Sequence, residues 1–178
     1  MNGYGSGWKS GARATGLAVD SQDNLIASGE FSGTMNLGGA THAADGPYQV
    51  FLGKFTSAGT LLWSTAFDGS GSDYQSSVAV DGAGNIVIAA ATDGSIDFGG
   101  GALTSAGSED IVLAKLTGSG AHVWSRRFGD LNYQSRPVVA ATTSGDTVLG
   151  CVFDGTLDFG NGGLASFGAD VAIARFAP

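Results

Sequence analysis

An all-β fold built from tandem repeats is what this sequence predicts, and three observations carry the prediction. The first is self-similarity. GLAVDSQDNLIASGEFSGTMNLGG from Gly16, SVAVDGAGNIVIAAATDGSIDFGG from Ser77 and VAATTSGDTVLGCVFDGTLDFGNG from Val139 align, with Asn24, Asn85 and Asp146 spaced by 61 residues in both steps. The second is periodicity: no stretch keeps the 3.6-residue helical period, whereas β-branched and aromatic residues fill short runs bounded by Gly, Asp, Asn and Ser. The third is composition. Glycine supplies 31 of 178 residues, yet 43% are hydrophobic, only three are proline and no G-X-Y period runs through the chain, which excludes a disordered or collagen-like polymer.

Each repeat offers four apolar runs, A to D, which in the second repeat are 77–81, 85–92, 110–116 and 122–128. Between A and B stand DSQDN, DGAGN and TTSGD, short turns rich in residues that accept positive φ or bond to their own backbone, so A and B read as a hairpin. Run B, NIVIAAAT and DTVLGCVF, is nearly continuous in apolar or small residues instead of alternating, as a strand buried on both faces requires. Run C recurs as FLGKF, VLAKL and IARF, each with one basic residue, Lys54, Lys115 and Arg175. Run D recurs as LLWSTAFDG and HVWSRRFGD, where Trp63 and Trp124 fall on the apolar pattern of a packed strand. The third copy of D is missing. Four-stranded sheets that bury both faces against their neighbours predict a partial β-propeller of about three blades, at 16–75, 76–135 and 136–178 within a single repeat domain, the last blade lacking its outer strand. A tandem solenoid or a row of small sandwiches is the alternative.

VAVDGAGNIVIAAATDGSIDFGG followed by DIVLAKLTGSGAHVWSRRFG resembles the bacterial β-propeller repeat of cell-surface and secreted proteins (SBBP-type), and its VAVD-x-x-GN core is similar to NHL repeats. The resemblance covers almost the whole chain from Gly16. It implies a four-stranded blade per repeat within a larger ring, an extracellular or cell-surface location, and no enzymatic role. The third copy departs from the pattern, with Thr142 in place of the Asp of VAVD and with Arg136 and Pro137 ahead of the strand, which puts its hairpin in question.

Three blades are too few to close a ring of four to eight. The expectation is a fragment of a larger ring or half of a six-bladed dimer, because the outward faces of the first and last blades would otherwise expose apolar surface. GYGSG at 3–7 looks like the tail of a preceding D run. The start MNGYGSGWKS shows no secretory signal, and Trp8 has no counterpart in the repeat.

Sixteen acidic against eight basic residues give a net charge of −8, which argues against nucleic acid or an anionic membrane surface as partner. No apolar run approaches the ~18 residues of a membrane-spanning helix. The single cysteine, Cys151, excludes an intrachain disulfide and sits among apolar neighbours as a small core residue.

In an up-and-down blade the B–C and D–A loops share one edge, where most of the carboxylates fall together with Tyr48, Tyr74 and Tyr133, making it the expected binding face. Tyr74-Gln75 and Tyr133-Gln134, each followed by serine and accompanied by Asp73 and Asp130, offer rings and polar groups for a sugar or a partner side chain. An anchor for the D–A crossover would look the same in sequence. Asp93, Asp97, Asp154 and Asp158, in D-G-S-I-D-F and D-G-T-L-D-F, offer carboxylates to Ca²⁺. Their D-x-x-x-D spacing is not that of a known calcium loop, so turn-shaping aspartates with Phe98 and Phe159 plugged between blades lead, and no other cofactor is expected. His42 and His122 are expected on opposite edges, and no nucleophile elbow, P-loop, dinucleotide or H-E-x-x-H motif is present. Paired carboxylates for glycoside hydrolysis are the remaining catalytic possibility. The leading expectation is a non-catalytic scaffold or adhesion surface for a protein partner, and the alternative is a lectin-like module binding carbohydrate on the acidic, tyrosine-bearing rim.

Overall fold

The computed structural model describes residues 11–178; Trp8 and the GYGSG stretch lie outside the described residues. The strands are β1 (Ala12–Val19), β2 (Leu25–Phe31), β3 (Thr34–Asn36), β4 (Thr41–Ala43), β5 (Gln49–Phe55), β6 (Leu61–Ala66), β7 (Gly69–Ser70), β8 (Asp73–Val80) and β9 (Ile86–Thr92). They continue with β10 (Ser95–Ile96), β11 (Leu103–Thr104), β12 (Asp110–Leu116), β13 (His122–Phe128), β14 (Gln134–Ala141), β15 (Thr147–Phe153), β16 (Thr156–Asp158), β17 (Gly163–Ala165) and β18 (Asp170–Phe176). The described residues contain no helix, so none is long and apolar enough to cross a membrane. All strand pairings between named strands are antiparallel, in sheets ordered β1-β2-β5-β6, β8-β9-β12-β13 and β14-β15-β18. The first strands of these sheets begin at residues 12, 73 and 134, so the 61-residue period of the sequence is the period of the sheets.

The two central strands of the middle sheet have no solvent face. Every residue of β9 and β12 is buried. Their alternating side chains divide between two cores. Ile86, Ile88, Ala90, Val112, Ala114 and Leu116 join Ile26, Val50 and Leu52 of the first sheet. Val87, Ala89, Ala91, Ile111 and Leu113 join Leu149, Cys151, Ala172 and Phe176 of the third. Burial on two faces explains the alanine run: face-to-face sheets lie about 10 Å apart, and small side chains on β9 make room for larger ones opposite. Trp63 packs against the first core and Trp124 against the second, as their positions in run D predict. Cys151 is 3% exposed, and burial pushes its thiol up to about 11, consistent with a packing residue.

The A–B turns are clamped by a repeated charge. Asp81 accepts the backbone N–H groups of Ala83 and Asn85 at 2.9 Å on one oxygen and the Asn85 side-chain amide at 3.0 Å on the other. Lys115 of β12 reaches the same carboxylate at 2.9 Å and also donates to the Gly145 carbonyl in the turn of the next sheet. Asp20, Asn24 and Lys54 repeat the arrangement, with Lys54 donating to the Gly118 carbonyl. In the third repeat the carboxylate changes ends of the turn. Thr142 stands where Asp81 did, and Asp146, at the asparagine position, pairs with Arg175 at 2.7 Å. The Thr142 hydroxyl accepts the Asp146 N–H at 3.0 Å, so the hairpin that the sequence placed in question closes with the same charge pair.

The structure extends the first strand of each sheet upstream of run A through a bulge, between Ala14 and Gly16, Tyr74 and Ser77, and Ser135 and Val138. Arg136 and Pro137 therefore lie inside β14. It also replaces the expected B–C loops with hairpins, β3–β4, β10–β11 and β16–β17. These fold back over the sheet. Gly39 packs against Leu61, and a Cβ on Gly100 would collide with the His122 ring, so the hairpin tips reach the start of the outer strand. β10 is further joined by β7, in the crossover from the preceding sheet.

Removing one partner of a buried ion pair leaves the other charge uncompensated, at a cost of about 3 kcal/mol or more. Asp81→Ala is therefore expected to destabilise by about 3 kcal/mol in urea denaturation. Asp146→Ala should cost markedly less, because the Arg175 side chain is 68% exposed. Burial raises the Asp81 pKa, but the bonds from Asn85 and Lys115 outweigh it and hold the carboxyl below the usual range. Its contribution is present at neutral pH and lost as pH falls through that lowered value.

Candidate functional site

The junction between the first two sheets gathers polar groups at the D–A edge. Asp73 opens β8 and is 2% exposed, and its N–H donates to the Tyr48 carbonyl at 3.1 Å. One of its carboxylate oxygens has no partner. Burial pushes its pKa up to about 7, with a bond from Thr92 pulling down and the charge of Asp93 adding to the rise. Asp93 accepts the Ser72 N–H at 2.6 Å and, at 3.5 Å, the Tyr74 hydroxyl. The Tyr48 and Tyr74 rings lie 6.0 Å apart. Beside them a cleft of about 290 Å³ is lined by Gly11, Ala12, Arg13, Glu30 and Tyr48. In it Arg13 pairs with Glu30, which is 1% exposed and keeps one oxygen without a partner.

The next junction is built differently at the same positions. Asp110 stands where Gln49 does, and Gln134 where Asp73 does, so amide and carboxylate exchange places. Arg127 pairs with the buried Asp110, and Gln134, fully buried, donates to Asp130 at 3.1 Å and to the Asp154 carbonyl at 3.0 Å. Asp130 also accepts the N–H groups of Asn132 and Thr156 at 2.8 Å, and these bonds hold its pKa below the usual range. Asp130, Gln134 and Asp154 thus tie the crossover to hairpin β16–β17.

The two Tyr-Gln-Ser stretches do not occupy equivalent places. Register pairs Asp73 with Thr92 and Gln134 with Phe153, which makes Tyr74 the counterpart of Ser135 and Gln75 the counterpart of Arg136. Tyr133 precedes its strand and is 59% exposed. Asp97 and Asp158 sit in the hairpin tips, accepting N–H groups of Gly99 and Gly101 and of Gly160 and Gly162. Phe98 meets Phe67 edge-on at 4.7 Å between the first two sheets, and Phe159 meets Phe128 at 5.1 Å between the second and third. Asp154 bonds to the Gly155 N–H. Among the described residues no group of three or more His, Cys, Asp or Glu is spaced to hold a metal ion. His42 and His122 are not on opposite edges. The folded-back hairpin brings His42 to Ser64 at 2.9 Å, and His122 meets Ser125, the counterpart of Ser64, at 3.1 Å.

Arg13, Glu30 and Gln49 were not singled out from the sequence. Glu30 carried a usable signal, since a carboxylate inside the run LIASGEF needs a buried partner. Compared with known proteins, the chain matches no family model and no curated protein.

In the unfolded chain Asp73 ionises near the ordinary carboxylate value of 3.8, and in the fold near 7. The folded state binds the extra proton, so stability falls as pH rises between those values and levels off above. Asp73→Asn should remove this slope and raise stability at pH 8 by about 1–3 kcal/mol, read as the pH dependence of thermal unfolding.

Proposed function

We propose that the chain is a three-blade segment of a β-propeller that acts as a non-catalytic scaffold or adhesion module outside the cytoplasm, and that its two end faces take a second copy of the chain to form a six-bladed ring. One observation carries this reading: the faces left over are the repeat equivalents of faces buried inside. On the first sheet Leu17, Val19 and Leu25 are 76%, 58% and 39% exposed, while the matching Val78 and Ile86 are 6% and 0% exposed. On the third sheet Val171 and Ile173 are 65% and 74% exposed, while the matching Ile111 and Leu113 are fully buried. The two free faces are thus a following face and a preceding face of the kind that already pack together twice. Joined head to tail about a two-fold axis, two chains bury both. The SBBP-type resemblance supports the blade, the extracellular location and the scaffold role.

A second reading, carbohydrate binding at the rim, is favoured by the Tyr48–Tyr74 ring pair beside the Arg13–Glu30 cleft. A glycan array with and without Ca²⁺ tests it, with Tyr74→Ala expected to abolish any hit.

In sedimentation velocity the chain should run as a discrete dimer. Val171→Asp with Ile173→Asp, or Leu17→Asp with Val19→Asp, should each give monomers, because each variant damages both junctions of the ring. A mixture of the two variants should recover a weaker 1:1 complex through the one junction that remains intact. A monomeric parent chain would overturn the six-bladed assembly.

A further inference from the structure

The bulges of β8 and β14 hold residues in a conformation that their side chains resist. Gln75 has φ 55° and Arg136 φ 53°; among the described residues only Asp23 is another non-glycine with positive φ. The two stand 61 residues apart at the same point of the same bulge. Glycine takes this conformation without strain, and the chain uses it so at fourteen described positions. Keeping a glutamine and an arginine here means the side chains serve something that glycine cannot, and strain of this kind concentrates at binding sites.

The surroundings show what that is. β1, β8 and β14 stand side by side in successive sheets. Across them an open surface depression of about 310 Å³ is lined by Thr15, Gln75, Ser76, Arg136, Pro137 and Val138, among others. The Arg136 N–H donates to Gln75 Oε1 at 2.6 Å, which fixes the amide and leaves its Nε2 donors unspent. The hydroxyls are tied into the scaffold: Thr15 donates to the Ser76 carbonyl at 2.7 Å, and Ser76 to Ser28 at 3.1 Å. Among the described residues Arg13, Arg127 and Arg175 are paired with carboxylates and Arg126 lies over Trp124, whereas no hydrogen bond, ion pair or ring holds the Arg136 guanidinium. In a chain of net charge −8 this exposed arginine is an unspent cation on the same bulge position, one repeat on, as the residue that carries the unspent amide donors.

We propose that this depression binds the carboxylate of a small organic acid. The planar guanidinium fork matches a carboxylate with two parallel bonds, Gln75 Nε2 supplies a third donor, and Pro137 and Val138 offer an apolar wall to the ligand's carbon skeleton. One cation in an acidic chain favours a monoanion over a phosphate dianion. The depression is formed within one chain, so the site does not rest on the ring assembly.

Amide chemical shifts followed by NMR at constant ionic strength test the proposal, with sodium acetate, sodium glucuronate, inorganic phosphate and neutral glucose as probes. Both carboxylates should shift the Gln75 and Arg136 amides saturably, glucuronate at low-millimolar dissociation constant, and glucose should not. Arg136→Gln should weaken binding at least about tenfold without lowering Tm. Arg136→Gly should abolish binding while raising Tm, a combination that a purely structural arginine would not give. Absence of saturable shifts, shifts unchanged in Arg136→Gln, or phosphate binding as tightly as glucuronate would each overturn the assignment.

Discussion

The burial of the middle sheet's two central strands on both faces is the constraint on which the rest of this structure depends. A strand that faces solvent on one side alternates polar and apolar residues, and β9 cannot. IVIAAAT is buried throughout, and its odd and even positions enter two different hydrophobic clusters. The low charge of the chain follows, because a sheet enclosed on two sides has no surface for charges. The glycines fall at the bends: Gly84, Gly120 and Gly145 take positive φ in the tight turns between strands.

Charges that do enter the stack are held by local bonds before they meet their partners. Asp20 and Asp81 each receive backbone and asparagine N–H groups from their own turn, so a buried lysine finds a carboxylate already fixed in place. The third repeat shows which part of this arrangement is required. Moving the carboxylate to Asp146 preserves the pair with Arg175 and the closed turn, so the charge matters and its position within the turn is exchangeable. The D–A junctions show the same tolerance. Gln49 with Asp73 in one and Asp110 with Gln134 in the other place one amide and one carboxylate at matching points, and only the second gains an arginine, Arg127. At the first junction burial, with the nearby charge of Asp93 adding to it, pushes the Asp73 pKa up to about 7.

The strands and their period were legible because hydrophobic runs and turn chemistry are local signals. The runs of the repeats, four in the first two and three in the third, fall on strands of the structure, and Phe98, Phe159, Trp63 and Trp124 take the packing places that the pattern assigned. Tertiary placement was less legible. The segment from Ser32 to Tyr48 reads as a loop because its glycines and polar residues dominate, yet Met35 and Leu37 turn it into a hairpin packed on Phe31 and Phe51. That packing carries His42 to the outer strand. The Tyr-Gln-Ser likeness misled because local identity does not fix the alignment of two repeats, which the strand pairing does. Tyr74 to Tyr133 is two residues short of the structural repeat, so Tyr133 precedes its strand whereas Tyr74 lies inside β8. The bulges were invisible, since neither Gln75 nor Arg136 is a residue that positive φ would suggest.

A two-faced middle sheet also accounts for the exposed ends, because a following face and a preceding face are left over when three sheets stack. The most direct measurement is a scan of single aspartate substitutions along residues 86–91, read as the urea midpoint of unfolding. With both faces buried, every position should lose about 3 kcal/mol or more, with no alternation. Tolerance at every second position would show that one face of β9 meets solvent and would contradict the account.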